Sequence, residues 1–408
     1  MTYEKIYETL KDHNQLQLLS YYDELNDLEK DALLEQIADI DFDLLNNIKT
    51  VGNPEERGKF DPVDTLTIEE IKHNKEHFFQ IGIEAIRQGK AGAVLLAGGQ
   101  GTRLGFEHPK GMLNVGISNE LYIFEIHINH MLEIVNQAGA WIPLYIMTSQ
   151  KNNSETIEFF EENNYFGYSK EFVFFFTQEM APSVDYNGKI YLEEKGAVSL
   201  SPNGNGGWFS SLAKAGYLNK IKANGLEWLN VFSVDNVLQK IADPYFIGAT
   251  IEAGRTSGAK VVGKAAPDEK VGVLCLEDGK PSIVEYYEMS DEMRNSRNAH
   301  GDLLYNYGVI LNYLFKVSEL EKIMDWALPV HVVEKKIPYI NEQGDLIKPG
   351  TPNGYKFETL VLDMIHRMDS CLSFEVERNR EFAPIKNKTG VDSLDSAREL
   401  MKENGMAF

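Results

Sequence analysis

The segment Leu96-Ala97-Gly98-Gly99-Gln100-Gly101-Thr102-Arg103 offers what a polyphosphate needs from a protein: backbone that can approach closely, and fixed positive charge. Its glycines can take φ > 0 and let successive N–H groups point at phosphate oxygens. It is not a GxxxxGK[ST] loop. It also fails the dinucleotide fingerprint, because Leu104 stands where a third small residue is required. The spacing is instead Gly98-Gly99-x-Gly101-Thr102-Arg103-x-Gly105, followed by Pro109-Lys110-Gly111. Arg103 and Lys110 thus flank a phosphate-sized cradle. Alone, the pattern also fits a tight strand-to-helix turn with surface cations.

Other residues gain meaning beside this loop. Asp235 follows the expected strand 229–234, and a carboxylate at a strand end suits Mg²⁺ shared with substrate phosphates. The same aspartate could equally serve a turn or a helix N-cap. Residues 202–207, Pro-Asn-Gly-Asn-Gly-Gly, are too glycine-rich for strand or helix and could fold against a nucleotide or form a plain surface loop. Lys386 in an apolar-flanked loop and Lys356 beside Phe357 could aim inward at phosphate or simply be solvated. Glu285 and Glu288 read as an acid pair or as the polar end of a strand. The 9 histidines show no metal spacing, and His127 and His130, one helical turn apart, read as structural.

These groups need elements to hold them. The first ~90 residues read as helical, with capping boxes at Asn26/Glu29 and Thr67/Glu70. The helix after Thr67 is expected to run to Gln88, where Gly89 stops it. Residues 93–96 then read as a buried parallel strand. Helices at 121–137, 154–164 and 209–222 alternate with strands at 143–148, 172–176 and 229–234, the aromatic run 172–176 reading as core. That alternation means an α/β sheet with crossover connections, in which ligands sit at the carboxyl ends of strands. Asp278-Gly279 marks a hairpin between 271–276 and 281–287. A last helix starts near Asp392.

Composition narrows the class. The chain has 408 residues with 43% hydrophobic content, enough to bury a sizeable core. A net charge of −22, from 40 basic and 62 acidic residues, argues against a general nucleic-acid binder. Cys275 and Cys371 form no CxxC pattern and read as buried free thiols of a reducing compartment. No apolar run suggests a membrane span or a signal peptide, so the expected location is cytoplasmic.

Taken in order, these motifs resemble the eukaryotic-type UDP-sugar pyrophosphorylase family, on its UDP-N-acetylglucosamine branch. The resemblance runs from about Leu95 to Lys388 and rests on the glycine loop with Pro109-Lys110-Gly111-Met112, Tyr145-Ile146-Met147-Thr148-Ser149, Gly204-Asn205-Gly206-Gly207, Val234-Asp235-Asn236, Ala242-Asp243-Pro244, Lys335-Lys336-Ile337-Pro338-Tyr339 and Lys348-Pro349. It implies an α/β fold with a glycosyltransferase-A-like, Rossmann-like mixed sheet core. A helical N-terminal region (1–90), a nucleotide-sugar-binding catalytic domain (91–330) and a small α+β C-terminal region (331–408) follow from it. The resemblance further implies nucleotide binding by Leu96, Ala97, Gly98, Gly99, Lys110, Gln178, Gly204, Asp235 and Lys356. Asn205, Gly272, Glu285, Tyr286, Asn306 and Lys386 would bind the sugar phosphate. Arg103, Lys110 and Lys386 would be catalytic, with Mg²⁺ on Asp235. The sequence departs from the family pattern at Glu179, Asn203, Tyr287, Leu360 and Leu362, which touch the sugar side more than the nucleotide side.

The implied reaction joins UTP and a sugar-1-phosphate, with neither nucleic acid nor membrane as partner. N-acetylglucosamine-1-phosphate is the first-choice sugar; glucose-, galactose- and N-acetylgalactosamine-1-phosphate stay open. A non-catalytic nucleotide-sugar sensor would need the loop but not the four charges Arg103, Lys110, Asp235 and Lys386. A transferase for another base, such as guanine, is disfavoured by the order of the motifs.

Overall fold

A computed structural model describes residues 2–51, 57–324 and 328–406. Two compact units emerge, and both are discontinuous in sequence. The first gathers Met1–Arg57, Glu179–Gly207 and Leu328–Leu360; the second gathers Gly58–Gln178, Trp208–Ala327 and Val361–Phe408. The compact units therefore do not follow the consecutive segments 1–90, 91–330 and 331–408. The reason is strand pairing: Gly354–Glu358 pairs with both His331–Lys335 and Val184–Asp185, drawing distant stretches into one small sheet.

The second unit is built on an eleven-stranded sheet. Its strands are β1 (Phe60–Pro62), β2 (Thr65–Leu66), β3 (Ala91–Leu96), β4 (Leu144–Thr148), β5 (Val173–Thr177), β6 (Trp228–Ser233), β7 (Ser257–Gly263), β8 (Val273–Glu277), β9 (Lys280–Val284), β10 (Tyr307–Lys316) and β11 (Cys371–Glu375). The main path is β2-β11-β7-β10-β6-β3-β4-β5, with β1, β8 and β9 branching off β10. β6, β3, β4 and β5 run parallel, whereas β10 lies antiparallel between β6 and β7. The expected α/β sheet is thus a mixed one. β3 is buried along its whole length, as its unbroken apolar run demands. The aromatic run is core as expected, with Val173 and Phe176 buried, Phe175 packed against the core while partly exposed, and Phe174 partly exposed on β5, an edge strand.

Local chemistry explains most element boundaries. Both expected capping boxes form, at Asn26 and at Thr67. The helix after Thr67 is two helices, Ile68–His73 and Lys75–Arg87, because Asn74 leaves helical geometry and its side-chain amide caps the Glu70 carbonyl at 2.9 Å. The helix expected over 209–222 is likewise split, into Trp208–Lys214 and Tyr217–Ala223, by Gly216 at φ +83°. Asp278 and Gly279 take φ +49° and +81°, the paired positive values of a tight hairpin between β8 and β9. The first 90 residues are not wholly helical, since β1 and β2 join the large sheet there. The last helix, Leu394–Glu403, starts from its Ser393 cap.

The first unit packs helices Tyr3–Asp12 and Asp27–Ala38 over a core that includes Ile6, Leu10, Leu33, Ile37, Val184 and Phe357.

Candidate active site

β3 and β6 are parallel neighbours, with Leu96 opposite Ser233. The strand sequence runs outward from β3 through β4 to β5 and resumes on the other side at β6. Their carboxyl ends therefore flank a topological switch point, where open α/β sheets bind ligands. The glycine loop leaves β3 and Asp235 leaves β6, so two motifs more than a hundred residues apart emerge side by side.

The loop is tied down rather than loose. Ala97 N–H donates to the Met147 carbonyl at 2.8 Å, and the buried Asn152 amide donates to the Ala97 carbonyl at 3.0 Å. Gly101 N–H reaches the His108 carbonyl at 3.0 Å, and Lys110 N–H the Gly99 carbonyl at 3.2 Å. These two bonds fold the loop back so that Lys110 returns beside its start. Gly98 is required by a close approach: a Cβ there would lie 2.4 Å from Gln178 Nε2. At Gly99 a Cβ would meet nothing within 4 Å, so that side of the cradle is open.

The charges converge on this opening. Lys110 Nζ lies 3.8 Å from Asp235 Oδ2, and the two side chains are 16% and 18% exposed. Burial pulls the Lys110 ammonium below the ordinary lysine range; Asp235 opposes that, while Lys386 and Arg103 add to it. Burial pushes the Asp235 carboxyl up, but Lys110, Lys386 and the Ser233 hydroxyl together hold it below the usual carboxylate range. Ser233 Oγ donates to Asp235 Oδ1 at 2.5 Å. Lys386 Nζ is 3.9 Å from Asp392 Oδ2 and half-exposed. A doubly paired, anionic Asp235 is thus surrounded by cations that repel one another, an arrangement that a polyanion would relieve. Asp235 caps no helix. Beneath it, buried His127 has one ring nitrogen 2.9 Å from the Val234 carbonyl and supports the strand end, a structural role as expected. His130 does the same for the Gln239 carbonyl at 3.0 Å.

Gly272, Glu285, Tyr286 and Asn306 lie in the same unit. A Cβ at Gly272 would sit 3.6 Å from Glu285 Oε2, so that carboxylate lies over the glycine. Glu285 and Glu288 are joined in a turn: Glu288 N–H donates to the Glu285 carbonyl at 2.9 Å, and Glu288 Oε2 accepts from Glu285 N–H at 2.8 Å. Asn306 accepts from Lys264 N–H through both its carbonyl, at 2.9 Å, and its side-chain oxygen, at 3.2 Å. Tyr286 is 37% exposed.

The other unit carries Gly204, Asn205 and Lys356. Gly204 has φ +89°, and a Cβ there would meet the Thr359 carbonyl oxygen at 2.2 Å. Gly206 N–H bonds the same carbonyl at 2.9 Å, and Thr359 N–H returns to the Asn203 carbonyl at 2.7 Å. The glycine-rich turn is therefore clamped onto the chain just past the strand Gly354–Glu358 that holds Lys356. It is a built loop, not a slack one.

Sequence reasoning missed three residues near the charges. Ser233 lies two positions before Asp235, on the same side of the chain, and that spacing was a usable signal. Asp392 pairs with Lys386 only through the fold. Lys388 Nζ comes within 3.9 Å of a Cβ position at Gly105, adding a cation over the loop. Among the described residues no group of three or more His, Cys, Asp or Glu could hold a metal. One anionic, partly shielded carboxylate does fit Mg²⁺ when substrate phosphates supply other ligands, which is how this ion usually binds. Both cysteines are buried thiols in no disulfide, as expected, and no helix among the described residues is long and apolar enough to cross a membrane.

Comparison with known proteins points the same way. A profile of the family described as UTP–glucose-1-phosphate uridylyltransferase matches residues 52–405. The UDP-N-acetylhexosamine pyrophosphorylase-like protein 1 of Xenopus tropicalis is 36% identical over 405 residues, covering 94% of this chain and 79% of that protein. The UDP-N-acetylglucosamine pyrophosphorylase of Saccharomyces cerevisiae is 34% identical over 401 residues, covering 94% and 83%. The crystal structure of the Trypanosoma brucei UDP-N-acetylglucosamine pyrophosphorylase in complex with inhibitor superposes with a TM-score of 0.84 at 28% identity, covering 97% of this chain and 83% of that one. Matched over residues 52–405 by the family profile and over 94% of its length by a relative 36% identical, the chain belongs to the UTP–glucose-1-phosphate uridylyltransferase family.

Proposed function

We propose that this enzyme transfers the uridylyl group of UTP to a sugar-1-phosphate, releasing pyrophosphate and a UDP-sugar. The observation that carries the reading is the set Lys110–Asp235–Lys386 beside the glycine loop, with Lys110 and Asp235 3.8 Å apart and largely shielded from water. A phosphate oxygen of the sugar-1-phosphate attacks the α-phosphorus of UTP. As that P–O bond forms, the α–β bridge breaks and its electron pair leaves with pyrophosphate. No general base is needed, since the nucleophile is already an anion. Catalysis is therefore positioning and charge stabilisation.

Leu96 to Gly99, Gln178 and Gly204 are the uridine contacts, and Lys110 and Lys356 the triphosphate contacts. Arg103 and Lys110 steady the leaving pyrophosphate. Lys386 holds the nucleophilic phosphate against its repulsion from UTP. Asn205, Gly272, Glu285, Tyr286 and Asn306 bind the sugar. Asp235 would hold Mg²⁺, which when bound offsets phosphate charge. The mixed sheet, with its site at the switch point, supports a glycosyltransferase-A-like core. Two buried thiols in no disulfide support a cytoplasmic setting.

The preferred sugar is N-acetylglucosamine-1-phosphate, a choice supported by the names of the relatives at 34–36% identity. The test is pyrophosphate release from UTP and Mg²⁺ with N-acetylglucosamine-, N-acetylgalactosamine-, glucose- and galactose-1-phosphate. N-acetylglucosamine-1-phosphate should give the highest kcat/KM. A higher value for glucose- or galactose-1-phosphate overturns the sugar assignment, and no release with any member overturns the reaction.

A further inference from the structure

Lys386 lies on a stretch outside every strand of the large sheet, yet its role requires a fixed position opposite Asp235. The stretch is held by backbone hydrogen bonds and by buried side chains. Ile385 N–H donates to the Asp235 carbonyl at 2.9 Å, and Val237 N–H to the Ala383 carbonyl at 3.4 Å. Between them Asn236, 1% exposed, donates its amide to the Glu381 carbonyl at 2.8 Å and accepts from Ala383 N–H at 2.9 Å.

A second tie lies deeper. Lys260, in the middle of β7, is fully buried. Its ammonium uses three acceptors: Asp243 Oδ2 at 2.7 Å, Glu381 Oε2 at 2.6 Å and the Lys240 carbonyl at 3.3 Å. Lys240 Nζ completes Glu381 at 3.3 Å. Two lysines thus balance two carboxylates, and the pairs join the loop after β6 to the segment leading into Lys386. Asp243 is fixed in turn as the cap of the helix Pro244–Glu252. A buried ionic cluster is a poor way to gain stability, because apolar residues of similar size often do as well or better. What such a cluster can do is specify one register between two loops.

We infer that Asn236 and the buried Lys260–Asp243–Glu381 cluster are positioning residues for Lys386: they hold its loop against the Asp235 loop so that the ammonium stays beside Asp235 and Lys110. The inference rests on the reading of Lys386 as the contact for the nucleophilic phosphate. A displacement of about 1 Å at such a contact can cost on the order of 10²-fold in rate.

The experiment is a mutant cycle on the full chain. One arm is the triple variant Lys260→Met, Asp243→Asn, Glu381→Gln, which neutralises the buried groups and leaves the half-exposed Lys240 as the only charge of the cluster; the other is Lys386→Ala, and both are then combined. Melting temperature, kcat and KM for UTP and for N-acetylglucosamine-1-phosphate are measured. The triple variant should stay folded and lose roughly 10- to 100-fold in kcat, with KM for UTP within ~3-fold. In the Lys386→Ala background the same change should cost less than ~3-fold more, because the residue it positions is gone. A cost that multiplies fully in that background overturns the inference. So does a loss that merely follows the folded fraction. If Lys386→Ala alone keeps near-normal turnover, it is the role of Lys386 that fails. Should the triple variant not fold, Asn236→Ser leaves every buried charge in place and carries the same cycle with the same criteria.

Discussion

Replacing Lys110 by Met removes the ammonium and keeps most of the apolar stem. Two unit charges 3.8 Å apart attract by about 4 kcal/mol at an effective dielectric of ~20. The pair is only 16% and 18% exposed, so bulk water screens it incompletely. Losing one such charge at a developing anion costs ~10²–10³-fold in turnover. A second effect concerns pH. Burial pushes the Asp235 carboxyl up, and Lys110 is the largest of the groups that hold it down. Without Lys110 the Asp235 pKa rises, so the acid limb of the pH–rate profile moves to higher pH. Stability should change little. Lys110 has a folded pKa lowered by burial, so the charged lysine costs stability at any pH below that value, and this cost disappears. Against it, Asp235 loses stabilisation that was present above the unfolded carboxylate pKa. The net change should stay near ~1 kcal/mol. The assay is phosphatase-coupled pyrophosphate release from pH 5 to 9, alongside thermal melts. A variant with kcat within about fivefold of the parent and an unmoved acid limb would refute the assignment.

Three further outcomes follow from the geometry. His127 is buried, and burial lowers its pKa to about 4. The unfolded imidazole binds a proton below pH ~6.5 while the folded one resists, so stability held above that pH is lost between about 6.5 and 4, by about 3 kcal/mol. His127→Gln should flatten the melting temperature over that window; a slope equal to the parent's rejects the reading. Gly98→Ala would drive a Cβ to 2.4 Å from Gln178 Nε2, so KM for UTP should rise at least ~10-fold with the melting temperature nearly kept, and an unchanged KM would show that this approach does not matter. Gly204→Ala combines φ +89° with a 2.2 Å clash on the Thr359 carbonyl oxygen. Denaturant melts should report a loss of ~1–3 kcal/mol, and a loss below about 0.5 kcal/mol would mean the turn relaxes without strain.

Much of the fold was legible because its signals are local. The apolar run of β3, the Asp278-Gly279 turn and the Asn26 and Thr67 boxes are each decided by a few adjacent residues. Helix continuity was less legible: Asn74 and Gly216 break helices whose apolar periodicity runs straight through them. The antiparallel insertion of β10 and the exposure of β5 depend on which strands become neighbours, which periodicity does not encode.

By itself, the amino-acid sequence determined the chemical parts: glycines that allow a phosphate cradle, Arg103 and Lys110 next to it, an aspartate at a strand end, and a motif order that marks the family. Those properties reside in residue type and short spacing. Only the tertiary structure decided how the parts act on each other. It put Lys110 against Asp235, set the Ser233 hydroxyl on that carboxylate, and brought Lys386, from a loop about 150 residues beyond Asp235, within electrostatic reach of both. It also buried Lys260 between Asp243 and Glu381. Electrostatic coupling depends on distance and shielding, and both are set by strand pairing and burial rather than by position along the chain.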